Sequence, residues 1–205
     1  EAFLIINLIT SAPDILFGHD NWGLSSAFPA KFEPVEISPT IFCFTGNFDE
    51  LFGSKILGYS VIGNDFDLEH LAKKYQYALV AVGQLKSPFI RIKLYDLAIK
   101  AGFLLPCIVS PKAYVSKHAK ISNGTIVMHD ATINADTTIG KNCIINSKAL
   151  IEHECSIANH CHISTNVIIN GGVKIGSGCF IGSNTTTKNN ITIKELLGVL
   201  KITKQ

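Results

Sequence analysis

Charge is what this sequence has least of. Asp, Glu, Lys and Arg make up 17% of its 205 residues, against roughly 25% in an ordinary soluble domain, so Ser, Thr, Asn and Gly must cover much of the surface. The two signs nearly cancel, 18 basic residues against 16 acidic. That balance leaves no field to draw nucleic acid or an anionic membrane. Long apolar runs are missing too: stretches such as Phe3 to Ile6 and Tyr77 to Val82 are far short of the roughly 18 residues that cross a bilayer. No charged n-region or cleavage site opens the chain, and it begins with Glu1 rather than Met, so the start is expected to be truncated and the location cytoplasmic. No CxxC is present among the six cysteines, and a disulfide framework belongs to much shorter secreted chains. What the sequence does have is aliphatic residues. It is 47% hydrophobic with a mean hydropathy of +0.29, which excludes a disordered chain.

The aliphatic residues of the second half recur every six positions. From Val109 through Val115, Ile121, Val127, Ile133 and onward to Ile193, fourteen of fifteen steps are Val or Ile, the exception being Thr187. The 38 Val and Ile of the whole chain would place about three there by chance. Two residues before each step lies a column of small or β-branched residues, among them Cys107, Ala113, Ala119, Thr125, Ala131, Cys143, Cys155, Cys161 and Cys179. Polar and turn-forming residues such as Ser116, Asn134, Gly140 and Asn146 follow each aliphatic one. A period of six is neither the 3.6 of an amphipathic helix nor the plain alternation of a hairpin. It predicts a parallel β-helix whose six-residue rungs make an 18-residue coil, the coils stacking at about the 4.8 Å strand spacing. Fifteen rungs give about five coils without a loop. The aliphatic residue points to the axis, and the cysteines of the second column become core fillers rather than redox groups. Thr187 breaks the column and residues 195–200 fit it poorly, so a degenerate or capped last coil is expected.

The first hundred residues read as α/β. Tyr77 to Gly83 is a candidate buried strand ending at a glycine, and residues 88–100 a helix with Ile92, Tyr95, Leu97 and Ile99 apolar and Gly102 as its stop. Residues 66–76 form a shorter candidate helix with Asp65 as N-cap, and residues 3–9 and 41–45 read as strands. Alternating strands and helices suggest a small parallel sheet, with ligands beyond strand C-termini such as Gly83. The expected fold class is therefore α/β plus β, with a parallel-sheet domain over residues 1–105 and a β-helix domain over residues 106–205.

The chain as a whole resembles the sialic acid O-acetyltransferase and nucleotide-aminosugar N-acetyltransferase family. The resemblance is carried by Ile56-Leu-Gly-Tyr-Ser-Val-Ile-Gly63, Val80-Ala-Val-Gly83 with Arg91 after it, Ala101-Gly-Phe103, Asn146-Ser-Lys-Ala-Leu-Ile-Glu-His-Glu154 and His162-Ile-Ser164. It runs from about residue 41 to 193. It implies a Rossmann-like sugar-binding domain followed by a left-handed β-helix, acetyl-CoA as donor, a sugar or nucleotide-sugar acceptor, and a homotrimer with sites between neighbouring chains. It also implies a glycine-rich loop after the first strand, where this sequence has Thr10-Ser-Ala-Pro-Asp14 instead. Residues 10–40, which hold Pro13, Pro29, Pro34 and Pro39, have no family counterpart.

Acetyl transfer needs a base near the acceptor and a donor for the thioester oxyanion. His153 and Glu154 sit two and three residues after Ile151, where side chains leave the prism, and they resemble the family's His-Glu pair with histidine as general base. One coil of 18 residues places Gly171 beside His153, followed by Gly172, so that the Gly171 N–H can face an oxyanion. His162 resembles a histidine that contacts acetyl-CoA, Gly172 and Ser183 are further coenzyme candidates, and Gly83 is the candidate sugar-binding position. His160, His118, His129, His19 and His70 read as solvated, and Lys174 and Lys188 as solubilisers unless they meet CoA phosphates. A three-histidine zinc site of the kind found on some hexapeptide β-helices needs stacked histidines, but the positions around His153 are Lys117, Ala135, Gly171 and Ala158; no metal is expected. The atypical start and worn final coil leave open a non-enzymatic scaffold or regulatory subunit.

Overall fold

A six-residue rung has room for one short strand and one corner, and the chain uses both at every repeat. The computed structural model describes residues 23–25, 33–34, 52–56, 59–85 and 87–194. Over residues 107–193 it shows a left-handed-type parallel β-solenoid of about five turns. One face stacks Cys107–Val109, Ile126–Val127, Ile144–Ile145, His162–Ile163 and Phe180–Ile181. A second stacks Tyr114–Val115, Thr132–Ile133, Leu150–Ile151 and Ile168–Ile169. The third stacks Lys120–Ile121, Thr138–Ile139, Ser156–Ile157, Lys174–Ile175 and Thr192–Ile193. Every pairing is parallel and 18 residues in register, as the sequence period requires.

Both columns point inward. Ile133, Ile145, Ile151, Ile163, Ile169 and Ile181 are fully buried, as are Ala131, Cys143, Ala149, Cys161 and Cys179. The five cysteines among the described residues are buried and form no disulfide; Cys43 lies outside them. Burial pushes the Cys107 thiol up to about 12, so it is a core filler and not a nucleophile. The corners follow an equally strict rule. Every sixth residue from Gly124 to Asn190 takes positive φ, and nine of these twelve are not glycine.

At Thr187 the aliphatic column gives way to a hydrogen-bonded one. The Thr187 hydroxyl accepts the Asn170 N–H at 2.9 Å, and its carbonyl accepts from Asn170 Nδ2 at 2.6 Å. The rung is reduced to a single bridge between Ile168 and Thr186, yet the coil closes again at Thr192–Ile193. Residues 195–205 lie outside the described ones. At the opposite edge, Gly23–Ser25 pairs antiparallel with Cys107–Val109 and with Glu33–Pro34. Part of the stretch without a family counterpart is therefore sheet on the open edge of the prism, an edge that would otherwise invite pairing with another chain. That sheet runs across the boundary expected near residue 105.

The described part of the first unit differs from expectation in detail. A 3₁₀ turn over Asp65–Asp67 leads into α1 (Leu68–Ala72), which is shorter than residues 66–76. The capping residue is Asn64, at the start of the 3₁₀ turn, and not Asp65: the Asn64 side chain accepts the Phe66 N–H at 2.8 Å, and Asp67 accepts the Asn64 N–H at 2.9 Å, while α1 itself follows Asp67 without a side-chain cap. Helix α2 (Phe89–Ala101) ends where expected, at Gly102 with φ 102. It buries Arg91, Leu94, Tyr95 and Ala98 rather than an all-apolar stripe, and leaves Ile99 half exposed. Residues 78–80 and Val82 are buried as expected, but the segment makes isolated bridges, at Tyr77 (to Leu104) and at Val80, rather than a continuous strand. Lys55–Ile56 pairs antiparallel with Tyr59–Ser60. The candidate strands at residues 3–9 and 41–45, and with them most of the Rossmann-like sheet, lie outside the described residues.

Because Ile151 is fully buried two residues before His153, Ile151→Ala is expected to cost about 2–5 kcal/mol of stability. The check is a lower urea midpoint with an unchanged slope.

Candidate functional site

Two clusters on different sides of the prism hold the residues that the sequence singled out. The first is the corner after Leu150–Ile151. The His153 and Glu154 side chains are 60% and 65% exposed, and His153 Nδ1 lies 3.0 Å from Glu154 Oε2. A carboxylate only accepts, so Nδ1 carries the proton of this bond and Nε2 keeps its lone pair. One coil away, Gly171 lies against the ring: a Cβ there would sit 2.9 Å from His153 Cε1 and 3.0 Å from Nε2. Any side chain at 171 would displace the imidazole. Gly172 has a different task. Its N–H donates to the His153 carbonyl at 3.0 Å and its φ is 70, so it sets the corner and has no N–H left for a cofactor. The Gly171 carbonyl accepts from Asn190 at 2.9 Å, while its own N–H has no partner among the described residues. The stacking of Gly171 on His153 is as the 18-residue period requires.

Glu154 occupies the left-handed corner slot with φ 60. That slot is filled by Asn, Asp or Gly at most corners of this chain, because those residues visit the region at low cost. A glutamate is held there against its conformational preference, as is common where a side chain serves a site.

The second cluster joins the first unit to the prism. His162 leaves the prism as expected but is not open to solvent: it is 5% exposed, and its Nδ1 lies 2.6 Å from the Gln84 carbonyl. Nδ1 must donate to that carbonyl, which leaves Nε2 to accept from Asn146 Nδ2 at 3.3 Å. Gly83, the residue before Gln84, is exposed and faces open space. Ser183 is exposed and bonds Ser164, two residues beyond His162, at 2.9 Å. His160 is a correction. It is half-buried rather than solvated, 3.0 Å from Asn142 Nδ2 and edge-on to Tyr95 with ring centroids 5.9 Å apart. His129 is also more than a surface imidazole, with Nδ1 2.7 Å from the buried Ser110 hydroxyl. His118 and His70 are exposed, as are Lys174 and Lys188; His19 lies outside the described residues.

Sequence reasoning missed the strip on which the first unit sits. Gly124, Asn142, His160 and Gly178 are 18 residues apart and form one corner. A Cβ on Gly124 would lie 2.6 Å from Tyr95 Cε2. Arg91 donates to Asn142 Oδ1 at 2.7 Å, and Gln84 Nε2 donates to the carbonyls of His160 at 3.0 Å and Gly178 at 3.3 Å. The signal is present in the period itself, since stepping by 18 from Gly124 collects all four.

Two expectations follow from these environments. Burial lowers the pKa of His162, with Arg91 adding to it and the Gln84 carbonyl opposing. Burial likewise lowers that of His160, helped by Arg91 and Lys141 and opposed by Asp96. The unfolded chain then takes up these protons first as the pH falls, so stability is fully present above the ordinary value of 6.5 and is lost below it. Urea midpoints should fall between about pH 7 and about pH 5, and His162→Gln should flatten that slope. Glu154→Asn, which suits the left-handed slot and removes only an exposed pair, is expected to raise stability by about 0.5 kcal/mol, read as a higher thermal midpoint. A clear loss of stability would show that Glu154 is there for the fold.

The repeat signature described as bacterial transferase hexapeptide (six repeats) matches residues 118–153 and 154–189. Among solved structures, a histidine-to-asparagine variant of perosamine N-acetyltransferase from Caulobacter crescentus, in complex with CoA and GDP-perosamine, is similar. It is 31% identical with a TM-score of 0.65, covering 69% of this chain and 67% of that one. The acetyltransferase domain of PglB from Neisseria gonorrhoeae is also 31% identical, with a TM-score of 0.63 and coverage of 67% and 66%. WeeI from Acinetobacter baumannii, 18% identical over 71% of this chain and 77% of its own with a TM-score of 0.56, shares the fold. The chain spans about two thirds of the length of the first two structures. No curated protein sequence matches it. With the repeat, the solenoid and this identity together, the chain belongs to the hexapeptide-repeat sugar acetyltransferase family that includes the nucleotide-aminosugar N-acetyltransferases.

Proposed function

We propose that this protein transfers the acetyl group of acetyl-CoA to the amino group of a nucleotide-linked aminosugar. The observation that carries the reading is the His153–Glu154 pair at 3.0 Å, exposed on a coil corner with its ring against Gly171. The similar structures complexed with CoA and GDP-perosamine support the donor and the amine acceptor.

The chemistry follows from the geometry. The acceptor nitrogen attacks the thioester carbonyl carbon, and His153 Nε2 takes the proton that nitrogen loses. Glu154 holds the ring by Nδ1 and stabilises the imidazolium. Charge develops on the carbonyl oxygen, and the Gly171 N–H is the donor assigned to it. The C–S bond then breaks and the proton passes to the departing thiolate. Direct attack is favoured over an acyl-enzyme because the cysteines of the solenoid point into its core. Ser183 is assigned to the coenzyme and Gly83 to the sugar, while His162, buried with both ring nitrogens bonded within the chain, fixes the Gln84 carbonyl beside them. A cytoplasmic location goes with this donor and acceptor.

The reading also carries a homotrimer. In a triangular coil the face holding His162–Ile163 lies opposite the corner holding Asn170 to Gly172, which stacks on His153. Gln84, and with it Gly83, is fixed to the former. One chain therefore keeps its sugar loop and its base on opposite sides, and a neighbouring copy must bring them together.

His153→Ala is expected to lower turnover by at least about a hundredfold, the scale of a lost general base. The readout is N-acetylation of a panel of nucleotide-linked aminosugars by mass spectrometry. Undiminished transfer by a folded variant that still binds acetyl-CoA would overturn the assignment.

A further inference from the structure

The structure assigns Arg91 a positioning role: from inside the molecule it holds the chain at Val80 to Gly83 against one corner of the prism and so fixes the loop that meets the acceptor sugar. The inference rests on the acetyltransferase reading above, and deepens it by naming what sets the place of the sugar loop.

Arg91 is 1% exposed and all of its bonds go to neutral oxygens. Nη1 donates to the carbonyls of Val80 at 2.8 Å and Val82 at 2.5 Å, and Nη2 to Asn142 Oδ1 at 2.7 Å. Burial brings its guanidinium down to about 10. A charge kept from water without a carboxylate is a poor way to stabilise a core that Leu or Met could fill. A planar fork does one thing those residues cannot, which is to tie several acceptors at fixed angles. Here it collects the two alternate carbonyls of Val80 and Val82, in a segment that forms no continuous strand, and joins them to the solenoid.

Asn142 completes the clamp. Its Nδ2 donates to the Arg91 carbonyl at 3.2 Å and lies 3.0 Å from His160 Nδ1, so one amide grips both ends of the arginine residue. On the far side of Gly83, the Gln84 carbonyl takes the His162 Nδ1 proton at 2.6 Å. Gly83 is thus pinned from before and after, yet is itself exposed with open space around it. A glycine presented to solvent between two buried anchors suits a backbone that must meet a ligand closely. His162 also stands two residues before Ser164, which bonds the coenzyme candidate Ser183. The clamp therefore sets the sugar loop relative to the coenzyme side of the site.

The test uses the full chain with Arg91→Lys, and Asn142→Gly as the second variant. Asn142 has φ 53, and Gly124 and Gly178 fill the equivalent slots of the same corner, so glycine keeps the turn and removes only the amide. In both variants the KM for the aminosugar is expected to rise about tenfold or more, with kcat and the KM for acetyl-CoA within about threefold of the parent. Deuterium exchange should quicken at residues 79–85 while the solenoid stays protected. An unchanged aminosugar KM in both variants would overturn the proposal. So would a rise in both KM values together with lost protection across the solenoid, which marks a purely structural arginine. If the parent acetylates no aminosugar, the functional reading falls by itself, and unchanged exchange at residues 79–85 would still overturn the clamp.

Discussion

The constraint on which everything else depends is that each coil must close after 18 residues and hand its backbone hydrogen bonds to the coils above and below. Ile144 N–H donates to the Cys161 carbonyl, and Ile126 N–H to that of Cys143, and so on along the prism. A chain bonded this way cannot change the length of one rung without breaking the register of all later ones. That rigidity explains the monotony of the core, where one aliphatic and one small residue fill each rung, and it explains the missing charge. The core takes two positions of six, the corners need turn formers, and few places remain where a charge would gain anything.

The same stacking makes position along the chain equivalent to position in space, and the site uses that equivalence. His153 meets Gly171 because they are one coil apart, and only glycine leaves the imidazole its place. The corner rule admits Asn, Asp or Gly easily, and the exceptions are informative. Lys148, Glu154 and His160 hold left-handed slots at a cost on the order of 1 kcal/mol each, the last two with a carboxylate–imidazole pair and an amide contact respectively. A solenoid core packed from fully buried Ile can bear that cost, and those two side chains make contacts that Gly could not supply.

How much of this is legible in the sequence depends on whether a residue's partners belong to the repeat. In the second half, the six-residue alternation of Ile133, Ile139 and Ile145 with turn formers admits one architecture, and the His153–Glu154–Gly171 cluster follows by addition. The corner formed by Gly124, Asn142, His160 and Gly178 obeys the same arithmetic but escapes it, because its partners, Tyr95, Arg91 and Gln84, come from a unit with no repeat to place them. His160 reads as solvated in the sequence for that reason. Within the first unit, local propensity locates α2 closely, but the helix buries Arg91 where an apolar stripe is expected. No periodicity foretells a buried guanidinium whose partners are backbone carbonyls.

A prism also limits what one copy can do. Its corners and opposite faces are separated by a core of Val, Ile, Ala and Cys, so side chains on two sides of one chain cannot cooperate however well each is built. The first unit is tied to one corner by Arg91, Gln84 and Tyr95, and His153 stands at the corner across from the face that Gln84 grips. A reaction that needs both must be completed by a second copy, on the reading proposed above. The rigidity that lets a coil hold His153 against Gly171 is then also what makes association necessary, because no hinge in a stacked solenoid could carry one side to the other.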